Sequence, residues 1–288
     1  MARPLRLELP GAVYHVTSLG NGGQQVFRVP DDSARFLEIL GEACSRFDWA
    51  CWAYCLLPDR YHLVVETRQA TLGRGMRQLN GRYTQAFNRR HGVGGHVFQG
   101  RYRAVMVESP DFVAAVCRDT VRQPLAQGLA DDPHSWRWSS HRAVAGRLPA
   151  GRAAPHWLAV EALRDLYGGD AARYGDDVAA EAREAVWDHL RHQVFLGSEA
   201  FVAAMRERAK AEASGRGNLA EIPKAQWQAP PPPLETFAAG AASRDEAMAR
   251  AYLSGAYSQA SIARHFAVHY STVSRAVRRF EKTLEPAG

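Results

Sequence analysis

Residues Leu56-Leu57-Pro58-Asp59-Arg60-Tyr61-His62-Leu63-Val64-Val65-Glu66 decide how this chain is read. Two apolar runs flank Pro58-Asp59, and the second is rich in strand formers, which predicts a strand, a tight turn and a strand. Side chains alternate across a strand, so Arg60 and His62 share a face. The His62 imidazole is a candidate metal ligand, with a hydrogen-bonded histidine beside an apolar core as the alternative. Arg60 leaves no such choice, because a guanidinium is always charged and has no lone pair for a cation.

Working outward, Ala12 to Ser18 alternates and predicts a strand, and Leu19 to Gly23 a loop. Asp31 or Asp32 can cap a helix from about Ser33 to Phe47. Strands are predicted over Trp49 to Leu57, Tyr61 to Thr67 and Tyr102 to Glu108. Helices are predicted over Leu72 to Asn88 and from Asp111 to about Arg122, the latter ending before Pro124. Strand, helix, strand, strand, helix, strand, helix is an α+β, ferredoxin-like split βαβ order with one added helix. The expected domains are residues 1–145 for this fold, a helical extension over 146–213, a Pro/Gly-rich linker over 214–242 and a helix-turn-helix over 243–288. In the last, helices are predicted over Arg244 to Leu253, Gln259 to Phe266 (capped by Ser258) and Ser271 to Phe280. Ile262, Ala263, Phe266, Val268, Val273 and Val277 fall at the buried positions, and Tyr270, Ser271, Thr272, Ser274, Arg275, Arg278 and Arg279 at the polar ones. A structural helical hairpin with a basic face is the alternative.

The chain has 288 residues, a formal net charge of +6 and a pI near 9.3, which favours an anionic partner. Distribution is more telling: seven arginines between Arg74 and Arg103 are uninterrupted by any acidic residue, a pattern suited to phosphates. No run is long and apolar enough for a transmembrane helix, and Met1 to Arg6 lacks the apolar core of a signal peptide. A cytoplasmic protein is therefore expected. The four cysteines form no CxxC pair and read as buried apolar filler.

Several stretches together resemble the REP-associated tyrosine transposases, a branch of the IS200-like, HUH single-tyrosine family. They are Pro10 to Ser18, Leu57 to His62, Arg74-Gly75-Met76-Arg77-Gln78-Leu79-Asn80-Gly81-Arg82-Tyr83-Thr84-Gln85, His96 to Tyr102, and Trp136-Arg137-Trp138-Ser139-Ser140. The helix-turn-helix resembles the extension some members carry. The resemblance implies cutting and joining of single-stranded DNA beside hairpins through a tyrosine that becomes linked to a 5′ phosphate. It also implies a divalent metal, Mg²⁺ or Mn²⁺, held by two histidines of one strand and by an amide four residues after the tyrosine.

Carried over residue by residue, His62 matches the second histidine and Gln123 the amide. Arg60 stands at the first histidine and Asp119 at the tyrosine, so a ligand and the nucleophile are both replaced. His15 lies on another strand and is assigned to structure, although it could face the same pocket. Because Arg60 and Asp119 carry opposite charges, an ion pair across the old pocket is expected. Arg77, Asn80, Arg82, Gln99, Arg101 and Arg103 remain as DNA-contact candidates, with solvated surface charge as the alternative.

Three functions follow. The first is a DNA-binding member of the family with impaired strand transfer, gripping single-stranded or hairpin DNA with one domain while the helix-turn-helix reads duplex or supports a homodimer. The second is a metal-dependent nickase in which Asp119, His62 and Gln123 hold a metal that activates water. The third is a non-enzymatic helix-turn-helix transcription regulator, without need of any metal.

Overall fold

The structure is a computed structural model and describes residues 7–110, 112–180, 186–216, 234–241, 243–253, 257 and 259–284. The expected cap Ser258 and most of the expected linker lie outside the described residues. One compact unit ends at Met205, and a second begins at Arg206.

The first unit opens with β1 (Ala12–Leu19), α1 (Pro30–Phe47), β2 (Trp49–Leu57), β3 (Arg60–Thr67), α2 (Leu72–His91), β4 (Arg103–Val107) and α3 (Val113–Ala126). This is the order expected from the sequence. Several helix ends differ from expectation, α2 running on to His91 among them. Helix α1 starts early because Pro30 presets the first turn, while the Asp32 carboxylate accepts the Arg28 and Val29 N–H groups at 2.9 and 3.1 Å. Helix α3 runs through Pro124, because that proline sits in the last turn, buried, and Gln127 N–H closes onto Gln123 O. The Pro58-Asp59 turn is present, and β2 pairs antiparallel with β3.

Residues 141–205 add more than helices. After α4 (His141–Val144), α5 (Val160–Asp165) and α6 (Ala171–Ala179), a 3-10 turn at Val186–His189 leads into β5 (Leu190–Arg191) and β6 (Phe195–Leu196). Among the described residues the sheet has six strands in the order β2-β3-β1-β4-β6-β5, with β6 parallel to β4. Val144, Leu163, Tyr174, Val178 and Leu196 share one apolar core with Val13, Ala53, Val64, Cys117 and Val121. The segment read as a helical extension thus completes the core of the preceding domain. All four cysteines are buried and free.

Register fixes the two faces of the sheet. Thr17 lies opposite both His62 and Arg103, and His15 opposite both Val64 and Val105. Strand alternation then sets His15, Thr17, His62, Arg103 and Val105 on one face, that of α3. The other face carries Tyr61, whose ring packs on Phe36 of α1. Tight packing there is visible at Gly75 of α2, where any added methyl group would overlap the Trp49 ring.

After α7 (Glu199–Arg216), the second unit contains α8 (Leu234–Ala239), α9 (Arg244–Leu253), α10 (Gln259–His265) and α11 (Tyr270–Leu284). Ile262, Ala263, Val273 and Val277 are buried with Met248, Ala249 and Ala251, and Phe266 and Val268 pack against them. The turn before α11 places Ala267 at φ 50°, the left-handed region.

Candidate active-site pocket

Strands β1, β3 and β4, helix α3 and the segment from Trp187 to Gln193 converge on a pocket of about 220 Å³ lined by His15, Thr17, His62, Arg103, Asp119, Gln123 and Trp187, with Val105, Leu190 and Gln193. Strand pairing brings in the first four. Helix α3 brings in Asp119 and Gln123, which stand four residues apart on one helical face. The Gln123 side-chain NH₂ donates to Asp119 Oδ2 at 3.1 Å.

The histidines form a contact of their own. His62 Nδ1 lies 3.3 Å from His15 Nε2, and the rings are 5.4 Å apart by centroid. His62 Nε2 is buried with no hydrogen-bond partner among the described residues. Burial, then the nearby Arg60 charge, pushes the His62 pKa down to about 4. Burial, then repulsion from His62, holds His15 well below the ordinary histidine value. Both rings are therefore neutral near pH 7, and one of the facing nitrogens carries the proton of a single hydrogen bond.

Trp187 closes the other side. Its indole N–H donates to Asp119 Oδ2 at 2.9 Å, and its ring lies 4.8 Å from that of His15. Neither contact was legible beforehand. Trp187 comes from the 3-10 turn some seventy residues after Asp119, and nothing in the local sequence marks it. His15 was assigned to structure, and its approach to His62 follows only from the strand register.

The expected ion pair between Arg60 and Asp119 does not form. Arg60 makes a two-pronged contact with its neighbour Asp59, Nε to Oδ1 at 2.9 Å and Nη2 to Oδ2 at 2.7 Å. An acid one residue away in the turn satisfies the guanidinium without any reach across the sheet. Arg60 does not line the pocket, and Asp119 is satisfied by Trp187 and Gln123 instead.

The DNA-contact candidates separate into two groups. Arg77, Gln99, Arg101 and Arg103 are exposed. Arg82 is ion-paired with Glu42 of α1. Asn80 belongs to an internal network: its Oδ1 accepts from Tyr61 OH at 2.6 Å, and its NH₂ donates to Ser18 Oγ at 3.2 Å. Arg90, from the same acid-free run, pairs with Asp32 at 3.0 Å. The acids absent from the run's own sequence are supplied by the helix packed beside it.

On α11, Ser271, Thr272 and Ser274 are partly exposed and Arg275 is exposed. Ser271 Oγ lies 2.8 Å from His269 Nδ1, and Arg279 pairs with Asp245 at 3.2 Å. Tyr270 and Arg278 belong to α11, and their side chains lie outside the described residues.

Comparison with known families places this geometry. Residues 9–118 match the family model described as transposase IS200 like, which ends one residue before Asp119. This stretch is similar to an IS200-like transposase domain. Residues 246–283 match a helix-turn-helix domain, so an IS200-like transposase domain and a helix-turn-helix share one chain. Among solved structures, the chain is similar to one titled "Structure of the REP associates tyrosine transposase bound to a REP hairpin". That likeness has 18% identity and a TM-score of 0.45, and covers 54% of this chain and 92% of the other. No curated protein matches.

Metal dependence is general in this family, but the donors of this IS200-like domain do not fit the expected site. Arg60, expected at the first ligand position, is a guanidinium turned to Asp59. Among the described residues, no three His, Cys, Asp or Glu side chains come together to hold a metal. The two imidazoles face each other, and the Asp119 carboxylate is engaged by Trp187 and Gln123. Among the described residues no helix is long and apolar enough to cross a membrane.

Proposed function

We propose that this chain binds single-stranded or hairpin DNA through its IS200-like domain and duplex DNA through its helix-turn-helix, without forming the tyrosine–DNA bond of the transposases it resembles. The observation that carries the reading is the content of the pocket: among the described residues no tyrosine lines it. In-line attack needs an aimed, activated nucleophile, whereas Asp119 Oδ2 is held by an indole and an amide. Tyr61 and Tyr83 offer no substitute. Their hydroxyls are hydrogen bonded under the opposite face, and burial raises both above the ordinary phenol range.

Exposed Arg77, Gln99, Arg101 and Arg103 support contact with a nucleic-acid backbone. Arg275, exposed on α11, supports reading of a duplex groove, and a homodimer on paired half-sites suits this motif. The test uses a labelled DNA hairpin with single-stranded flanks, incubated with the full chain and Mg²⁺ or Mn²⁺. The expected result is a salt-sensitive complex, no shortened strand and no adduct surviving phenol extraction. A covalent adduct overturns the reading. A metal-dependent nick without an adduct would favour hydrolysis by water. Binding to duplex alone would leave a helix-turn-helix regulator.

A further inference from the structure

We propose that the His15–His62–Asp119–Trp187 pocket takes the base of one unpaired guanine in the bound DNA. The inference rests on the DNA-binding reading above and assigns a ligand to its pocket. The pocket measures about 220 Å³, below the roughly 300–1,000 Å³ typical of drug-sized ligands. It suits one flat ring system better than a stretch of strand.

Its chemistry argues against a phosphate. The Asp119 carboxylate lines the pocket, and among the described residues Arg103 is the one guanidinium beside it. A carboxylate beside an anion repels it. A base fits better. Half-buried Trp187 offers an aromatic ring of the kind on which unpaired bases stack. The buried His62 Nε2 lacks a hydrogen-bond partner among the described residues, and such a group calls for one from outside.

Guanine is favoured among the bases by the arrangement of charge. Asp119 Oδ2 is committed to Trp187 and Gln123, while Oδ1 has no hydrogen bond to a described residue. Guanine presents N–H donors at N1 and N2 for that oxygen. It presents acceptors at O6 and N7 for a guanidinium such as Arg103, which lines the same pocket. Adenine lacks the N2 amine and offers no acceptor at position 6. Thymine offers a single donor between two carbonyls.

The test uses the full chain and a DNA hairpin with a short randomised single-stranded flank, with the bound fraction sequenced. Guanine should be enriched at one flank position. Replacing that guanine by inosine, which lacks only the N2 amine, should weaken binding roughly tenfold, the loss typical of one specific base contact. In Asp119→Asn, which keeps an acceptor for Trp187, the hairpin should still bind but the guanine enrichment should disappear. Retained binding with no guanine preference at any flank position overturns the inference alone. So does a guanine preference unchanged in Asp119→Asn. Failure of the wild-type protein to bind the hairpin at all overturns both this inference and the DNA-binding reading.

Discussion

Arg77 and Arg101 provide the sharpest measure of whether the basic run touches DNA. Both are exposed, and Arg77 has no ion pair among the described residues. Arg82, from the same run, is engaged by Glu42. Each phosphate neutralised on a single strand contributes about −0.7 to the slope of log affinity against log salt. Losing two such contacts in Arg77→Ala with Arg101→Ala should flatten the slope by about 1.4. Between about 50 and 200 mM salt, wild-type affinity should therefore fall roughly sevenfold further than that of the double variant. Arg82→Ala should barely change the slope, and as a half-exposed pair it should cost at most about 1 kcal/mol of stability. Fluorescence anisotropy of a labelled hairpin across a salt series measures all three proteins. A double-variant slope indistinguishable from wild type would remove these arginines from the interface. Equal flattening by Arg82→Ala would refute the argument that Glu42 withholds it.

Asp32 is buried and receives Arg90, His91 and two backbone N–H groups. Asp32→Ala should cost about 3–5 kcal/mol in urea unfolding, and a loss under about 1 kcal/mol would show the network to be dispensable. Burial opposes ionisation of Asp32, but the bonds from Arg90, His91 and the backbone outweigh it and lower its pKa. Its contribution is present above the ordinary carboxylate pKa and is lost as pH falls through the lowered folded value. For His62 the unfolded chain binds the extra proton, so stability should fall as pH drops from the ordinary 6.5 toward about 4; His62→Gln should flatten that limb. Arg275→Ala should cost about 1–3 kcal/mol of discrimination on duplex DNA, read as lost sequence preference with overall affinity nearly kept. Arg60→His combined with Asp119→Tyr should give a metal-dependent covalent adduct, and neither single variant should; an adduct from one alone would show that the other position is not needed.

The sequence was most legible where local pattern decides. Alternation and turn residues placed β2 and the Pro58-Asp59 turn, and helical spacing placed the buried positions of α10 and α11. The pocket was half legible. Asp119 and Gln123 meet as their spacing implies, since an i, i+4 pair on a helix needs only local geometry, and His62 joins them as the family resemblance implied. His15 and Trp187 depend on strand register and on a return of the chain after α6, neither of which leaves a local mark. The engagement of Arg82 and Arg90 was hidden for the same reason in reverse. The acid-free run counted only neighbours along the chain, whereas Glu42 and Asp32 arrive from α1.

Arg60 and Asp119, expected to face each other across one pocket, are held apart by different partners. A charge leaving water takes the nearest partner that needs least ordering. For Arg60 that partner is Asp59, in the turn immediately before it, with two bonds and no chain to close. For Asp119 the partners are Gln123, one helical turn away, and Trp187, delivered by the segment that completes the core. Each substitution is thus satisfied by its own surroundings. Neither requires the other. What remains beside Asp119 is a partly aromatic recess that holds a carboxylate, the Arg103 guanidinium and an imidazole nitrogen with no partner among the described residues. Such a surface favours recognition of a flat polar ligand over the handling of a metal-bound phosphate.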